Sequence, residues 1–451
     1  MTDKTKPTLD TSSPDATVHD HPAEHVQHSG SEKKRRRTVF DALGPGLITG
    51  ASDDDPSGIA TYSQVGAQFG YGMLWTMLFS YPLMAVIQAI CGRIGRVTGH
   101  GIAGNLRRYY PNWLACLMVS LMVIANTINI GADIGAMGEA LKLLIGGPAL
   151  LYAAMFALIS LLLQMFVRYT HYVRFLKWLT VALFSYVAVV FSVHVPWGAA
   201  LRDTFVPHIS FKTDYLTAFI AVLGTTISPY LFFWQASEEA EDVTAMPGEK
   251  PLKRAPEQAP TQLRRIKMDT AVGMAFSNLV AFFIMLTCAV TLHAHNVTNI
   301  DTAAQAAEAL RPIAGKFTFL LFGMGIIGTG LLAVPVLAGS AAYAVGEIFR
   351  WPVSLEKTPW NAKGFYGVLA AATLIGLALN FTSINPIKAL FWTAVINGVV
   401  AVPLMVMIML LGNNPNAMGD FTLSSRSKVI GWAATLVMLA AAIGMFATWG
   451  K

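Results

Sequence analysis

Long apolar runs separated by short polar connections recur along the whole chain. Eleven of them, covering residues 39–69, 73–92, 112–141, 148–167, 176–195, 215–236, 268–292, 317–347, 364–380, 387–411 and 429–449, are long enough to cross a bilayer as helices. Two of the eleven are interrupted in the middle by acids or hydroxyls followed by proline, at Asp53-Asp54-Asp55-Pro56-Ser57-Gly58 and at Thr225-Thr226-Ile227-Ser228-Pro229. Proline ends the helix before it and frees backbone carbonyls that need another partner. Charge at membrane depth is expensive and is kept where it serves a purpose.

The interruptions fall in the first and sixth runs, which are corresponding members of two sets of five. An odd number of spans per set inverts the second relative to the first, and broken helices of such repeats meet at the bilayer midplane to form the transport site. The pattern therefore predicts an all-α polytopic membrane protein built as a 5+5 inverted repeat with an eleventh helix, helices 1 and 6 being broken.

Composition agrees with this reading: 54% of residues are hydrophobic and 13% charged, against about 25% charged in soluble chains. If the N-terminus is cytoplasmic, 25 of the 32 Lys and Arg residues fall on that side, as the positive-inside rule requires, and the C-terminus lies outside. The net charge of +6 is then a topology signal, with the cluster at residues 33–37 also suited to anionic lipid, and calls for no nucleic-acid partner. Residues 1–37 are polar and hold no apolar core, so no signal peptide is expected. They read as a disordered cytoplasmic tail ahead of a transporter domain at 38–451. His19, His21, His25 and His28 within the tail suggest metal sensing, although a plain solvated tail is favoured. Residues 238–267 read as a cytoplasmic connector whose Glu238, Glu239, Glu241 and Asp242 form either an acidic vestibule or, slightly favoured, a solvated helix end. Cys91, Cys116 and Cys288 fall inside spans and read as small buried hydrophobes. No hydrolase, zinc-protease or thiol-redox motif is present, so an enzyme is not expected.

At the first break the preceding half-helix directs its C-terminal carbonyls, the negative end of its dipole, toward the site, and Asp55 adds a full negative charge. The second break repeats this with the carbonyls of Thr225 and Thr226, and Ser228 adds a hydroxyl. Such a donor set suits a cation. Asp55 has an alternative reading as a helix cap or a structural ion pair. Asp53 and Asp54 beside it require an offsetting cation or a proton, and Asp54 has a second reading as a residue of the inner vestibule. Asn126, Asn129 and Asp133 share one face of the third span and either line the path or glue helices together. Gln88, Thr393 and Asn397 are weaker candidates for the site or its water shell, since isolated amides in spans more often bridge helices.

Residues 44–88, with Asp55-Pro56-Ser57-Gly58-Ile59-Ala60-Thr61, resemble the first two helices of the NRAMP divalent-metal transporters, whose first-helix signature is Asp-Pro-Gly-Asn. Ser228-Pro229-Tyr230 is similar to the second signature, Met-Pro-His. The resemblance covers roughly residues 40–410 and implies a LeuT-type fold and divalent-cation transport. It carries the family's aspartate ligand onto Asp55, puts Gly58 in place of the asparagine, and puts Ser228 in place of the methionine. Losing the thioether leaves oxygen donors that suit Mg²⁺, Mn²⁺ or Ca²⁺, and the chain looks more like the NRAMP-related magnesium transporters than the iron and manganese importers. Tyr230 stands where the family's proton-linked histidine is found, Asp133 matches the aspartate of its third-helix pair, and Ala136 replaces the glutamate. Weak proton coupling, or none, is the expectation.

The sequence thus points to a secondary transporter of divalent cations working by alternating access in a bacterial inner membrane. Asp55, Thr225 and Ser228 are its leading ligands, with Asp54 and Gly58 beside them. The ion is cargo, no resident cofactor is expected, and the oligomeric state is open, with a monomer plausible. The rival readings are an amino-acid or polyamine carrier of the same fold, with Tyr230, Phe232, Phe233 and Trp234 as an aromatic cage, and a cation channel.

Overall fold

In hydrocarbon every backbone N–H and C=O must be paired within its own segment, and helices achieve this. The computed structural model describes residues 50, 52–167, 181–246, 248–355 and 357–450, and among the described residues there is no β-strand. Its principal helices are α1 Pro56–Phe69, α2 Trp75–Thr98, α3 Asn112–Ile145, α4 Ala149–Phe166, α5 Phe184–Ser192, α6 Thr213–Thr226, α7 Pro229–Ala245, α8 Ala259–Thr291, α9 Thr318–Phe349, α10 Lys363–Leu379, α11 Pro386–Asn413 and α12 Ser425–Thr448. Among the described residues eight helical segments are long and apolar enough to cross a membrane, the pair α6 and α7 counting as one, and two shorter apolar helices accompany them. The helix α1 is the half of the first span that follows its break. The tail at 1–37, most of the half-helix before the break and the start of the fifth span lie outside the described residues.

The two sets of five pack in matching ways. Gly66 of α1, in the first span, approaches α8, in the seventh, so closely that a Cβ would lie 2.3 Å from the Met285 carbonyl oxygen. In the mirrored pair, Gly95 of α2 meets α7, where a Cβ would lie 2.0 Å from the Ala236 carbonyl oxygen. Exchanging first with sixth and second with seventh turns one contact into the other, as an inverted repeat demands. The third span, α3, packs along its own counterpart α9, where a Cβ on Gly330 would lie 2.6 Å from the Met137 sulfur.

At one end of the bundle Phe69 meets Tyr215 at 5.6 Å and Trp392 meets Trp449 at 5.7 Å between ring centroids. The opposite end is basic. There Arg93 donates to the carbonyls of Phe421 and Thr422, each at 3.0 Å, and Arg96 pairs with Glu249.

Three local expectations change. The polar segment 238–267 is largely helical, because α7 continues to Ala245 and α8 begins at Ala259. Two of its acids are held by partners, and Glu241 also lines a cavity at this end. Glu239 is buried and held by Arg265 at 2.5 Å, and Glu241 accepts from the hydroxyls of Tyr343 and Ser354, since carboxylates taken out of water need such partners. Cys116 is exposed on α3, whereas Cys91 and Cys288 are buried; an apolar helix wall can face lipid as readily as protein.

Candidate cation site

Both interruptions have one local cause. Proline lacks an N–H and clashes with the preceding turn, which favours a new helix start at Pro56 and Pro229, although Pro82, Pro335 and Pro403 are carried inside α2, α9 and α11. Its predecessor is pushed into the extended region. Asp55 takes φ −71°, ψ 170° before Pro56, and Ser228 takes φ −79°, ψ 126° before Pro229. Each break therefore places the C-terminal end of one half-helix beside the N-terminal end of the next.

The Asp55 carboxylate divides its work between its oxygens. Oδ1 caps α1, accepting the Gly58 N–H at 2.7 Å and the Ser57 hydroxyl at 2.9 Å. Oδ2 accepts from Asn129 Nδ2 of α3 at 2.9 Å. Capping, the alternative open from sequence, uses one oxygen and leaves the other facing α3. At the second break the Ser228 hydroxyl turns back on α6, donating to the Thr225 carbonyl at 2.6 Å, with the Gly224 carbonyl at 3.2 Å. That spends its proton and leaves its oxygen lone pairs as acceptors.

The two breaks touch. An ideal Cβ on Gly58 would lie 3.0 Å from Thr225 Oγ1, and the Tyr230 hydroxyl donates to the Ser52 carbonyl at 2.9 Å. Asp53 and Asp54 both face α8, where the Ser277 hydroxyl lies 2.7 Å from Asp53 Oδ2 and 3.1 Å from Asp54 Oδ1. Asp53, Asp54, Asp55, Thr225, Ser228 and Asp133 are all buried, and neither oxygen of Asp133 meets a hydrogen-bond partner among the described residues.

The remaining candidates separate. Asn126 bridges to α9, donating to the Leu337 carbonyl at 3.0 Å and the Ser340 hydroxyl at 2.8 Å. Gln88 bridges to α7 through the Leu231 carbonyl at 2.7 Å and Gln235 at 3.2 Å. The Thr393 hydroxyl is returned to its own helix at the Leu390 carbonyl, 2.7 Å away. Asn397 is buried and, among the described residues, forms no hydrogen bond to either break. Ser277, Ser57 and the Ser52 carbonyl are additions that the sequence reading missed. The polar pair Ser277-Asn278 inside an apolar span was the available signal.

Among the described residues no three His, Cys, Asp or Glu side chains converge in metal-holding geometry. Ligands beyond two carboxylates would therefore be hydroxyl, amide and main-chain oxygens, the donors that hard divalent ions prefer. A cavity of about 520 Å³ at the basic end reaches Ser237, Tyr343 and Glu347, and one of about 410 Å³ at the other end reaches Gln64, Asp301 and Lys388. Asp55 lines neither of these two cavities.

Broken helices meeting at buried oxygen donors, within a 5+5 helical repeat, define a LeuT-type membrane transporter. The manganese transporter of Eremococcus coleocola superposes with a TM-score of 0.71 at 16% identity, over 90% of this chain and 86% of that one. Mhp1, a nucleobase-cation-symport-1 family transporter, gives 0.55 at 14% identity over 90% and 94%. At the sequence level the model of the natural resistance-associated macrophage protein-like (Nramp) family matches residues 46–448. The chain belongs to this family, whose members are multi-pass membrane transporters and not enzymes. Similar proteins include the divalent metal cation transporter MntH of Yersinia enterocolitica, 26% identical over 90% of this chain and 94% of its own, and that of Erwinia tasmaniensis, 24% identical over 91% and 95%.

Proposed function

We propose that this protein carries divalent metal cations across the bacterial inner membrane by alternating access and favours hard ions of the Mg²⁺ and Mn²⁺ type. The observation that carries the reading is the Asp55 carboxylate, buried at the first break with one oxygen turned away from its capping role and the second break in contact at Thr225. The names of the MntH relatives support a divalent cation as cargo. The oxygen-only surroundings, with a hydroxyl at Ser228 and no thioether, support a hard one. The paired broken helices of an inverted repeat support alternating access over a channel. Thr225, Ser228 and Asp54 serve as further oxygen donors, Gly58 lets Thr225 approach the first break closely, and Asp53 and Asp133 lie along the path.

The N-terminus is cytoplasmic and the C-terminus external, supported by the positive charge at one end of the bundle. A monomer completes the site. Proton coupling is weak or lacking, because Tyr230 is engaged with Ser52 and phenols titrate near pH 10. The polyamine reading loses its cage: Tyr230 and Trp234 pack into one apolar cluster, and Phe232 and Phe233 into another. The test is uptake of Mn²⁺, Mg²⁺ and spermidine by proteoliposomes containing the full chain. Saturable metal uptake without spermidine uptake is expected, and spermidine uptake alone would overturn the assignment.

A further inference from the structure

The hydrogen bonds of Asp55 limit which of its lone pairs an ion can reach. An ionised carboxylate accepts in about four directions, two per oxygen. Oδ1 already takes the Gly58 N–H and the Ser57 hydroxyl. Oδ2 accepts from the Asn129 amide, which uses one of its two acceptor directions. A carboxylate donates nothing, which fixes the amide with its NH₂ toward Asp55. The Asn129 Oδ1 belongs to the same planar group, is buried, and meets no hydrogen-bond partner among the described residues.

The surroundings hold Asn129 in place. One turn earlier, Asn126 fastens α3 to α9 through Leu337 and Ser340. Two residues later, Gly131 lies so close to α10 that a Cβ would sit 2.6 Å from the Gly376 carbonyl oxygen. The helix α1 offers no amide of its own here, and Gly58 has no room for one while Thr225 stands against it.

We infer that Asn129 is a direct ligand, its Oδ1 binding the transported hard divalent cation together with the second lone pair of Asp55 Oδ2. The amide oxygen of the site thus comes from α3. This rests on the proposed role of Asp55, and the test separates the two. Mn²⁺ and Cd²⁺ binding would be measured by titration calorimetry on the full-length protein in detergent, for wild type, Asn129→Ala, Asn129→Asp, Asn129→Cys and Asp55→Ala, each checked for a single melting transition.

Asn129→Ala should weaken Mn²⁺ binding by about tenfold or more. Asn129→Asp should keep Mn²⁺ binding, because it retains an oxygen at the same place, and Asn129→Cys should raise Cd²⁺ affinity relative to Mn²⁺. If Asn129→Asp loses Mn²⁺ binding, residue 129 serves only as a donor to Asp55 and the inference is overturned. Wild-type Mn²⁺ affinity in Asn129→Ala overturns it as well. Should Asn129→Ala fail to fold, the Asp and Cys variants decide. Wild-type affinity in Asp55→Ala instead overturns the underlying site.

Discussion

The hydroxyl of Tyr230, in the first turn of α7, donates to the main-chain carbonyl of Ser52, one residue before the acidic run of the first break. The bond joins the two interrupted spans to each other at the depth where both are broken. A helix that ends at a break leaves carbonyls unpaired, and one of them is answered here by a side chain from the opposite repeat. Tyr230→Phe keeps the ring and removes the donor. It should cost about 1 kcal/mol of stability, seen as a lower melting temperature in detergent, while divalent-cation uptake persists. An unchanged melting temperature would mean that the bond adds nothing net.

Transport should proceed with little or no proton movement. With a pH-sensitive dye inside proteoliposomes and the potential clamped by valinomycin, adding Mn²⁺ or Mg²⁺ outside should leave the internal pH steady. Metal-dependent, stoichiometric acidification would contradict this, and its loss in Asp54→Asn or Asp133→Asn would name the carrier.

Selectivity should follow the chemistry of position 228. Ser228→Met adds a soft sulfur beside Thr225 and removes the hydroxyl bonded to that residue's carbonyl, so Cd²⁺ uptake should rise relative to Mg²⁺. An unchanged ratio in competition assays would place Ser228 outside the path of the ion.

Position 58 is constrained by its neighbour. Gly58→Asn drives a side chain toward Thr225 Oγ1, 3.0 Å from an ideal Cβ, and overpacking of this kind typically costs about 1–3 kcal/mol. Uptake should fall in the single variant and recover in part when Thr225→Ala removes the obstructing hydroxyl. No recovery in the double variant would show that the contact is not the cause.

Much of the architecture is legible in the sequence because hydropathy and helix share a cause in hydrocarbon. The run read at 112–141 is α3, Asn112–Ile145, and the proline-marked breaks fall where Pro56 and Pro229 begin new helices. Helix ends are less legible. The apolar run of the second span stops at residue 92, yet α2 continues to Thr98, because Arg93 and Arg96 find partners beyond the hydrocarbon and the backbone has no reason to stop. The eighth helix likewise starts at Ala259, well before the apolar run at 268, since its first turns carry Arg264, Arg265 and Lys267. At the site, Asp55 announces itself as a charge in an apolar run. Ser277 is marked more faintly, as half of the polar pair Ser277-Asn278, and only the fold sets it against Asp53 and Asp54. The same holds for Gln88 and Asn126, whose partners on α7 and α9 lie far along the chain.

Whether Asp55 holds the transported ion is read directly from Mn²⁺ and Mg²⁺ uptake by proteoliposomes carrying wild-type protein or Asp55→Ala at matched incorporation. Saturable uptake by the wild type and uptake at the protein-free background for the variant are expected, with both eluting as single folded species. Wild-type uptake by Asp55→Ala would contradict this role.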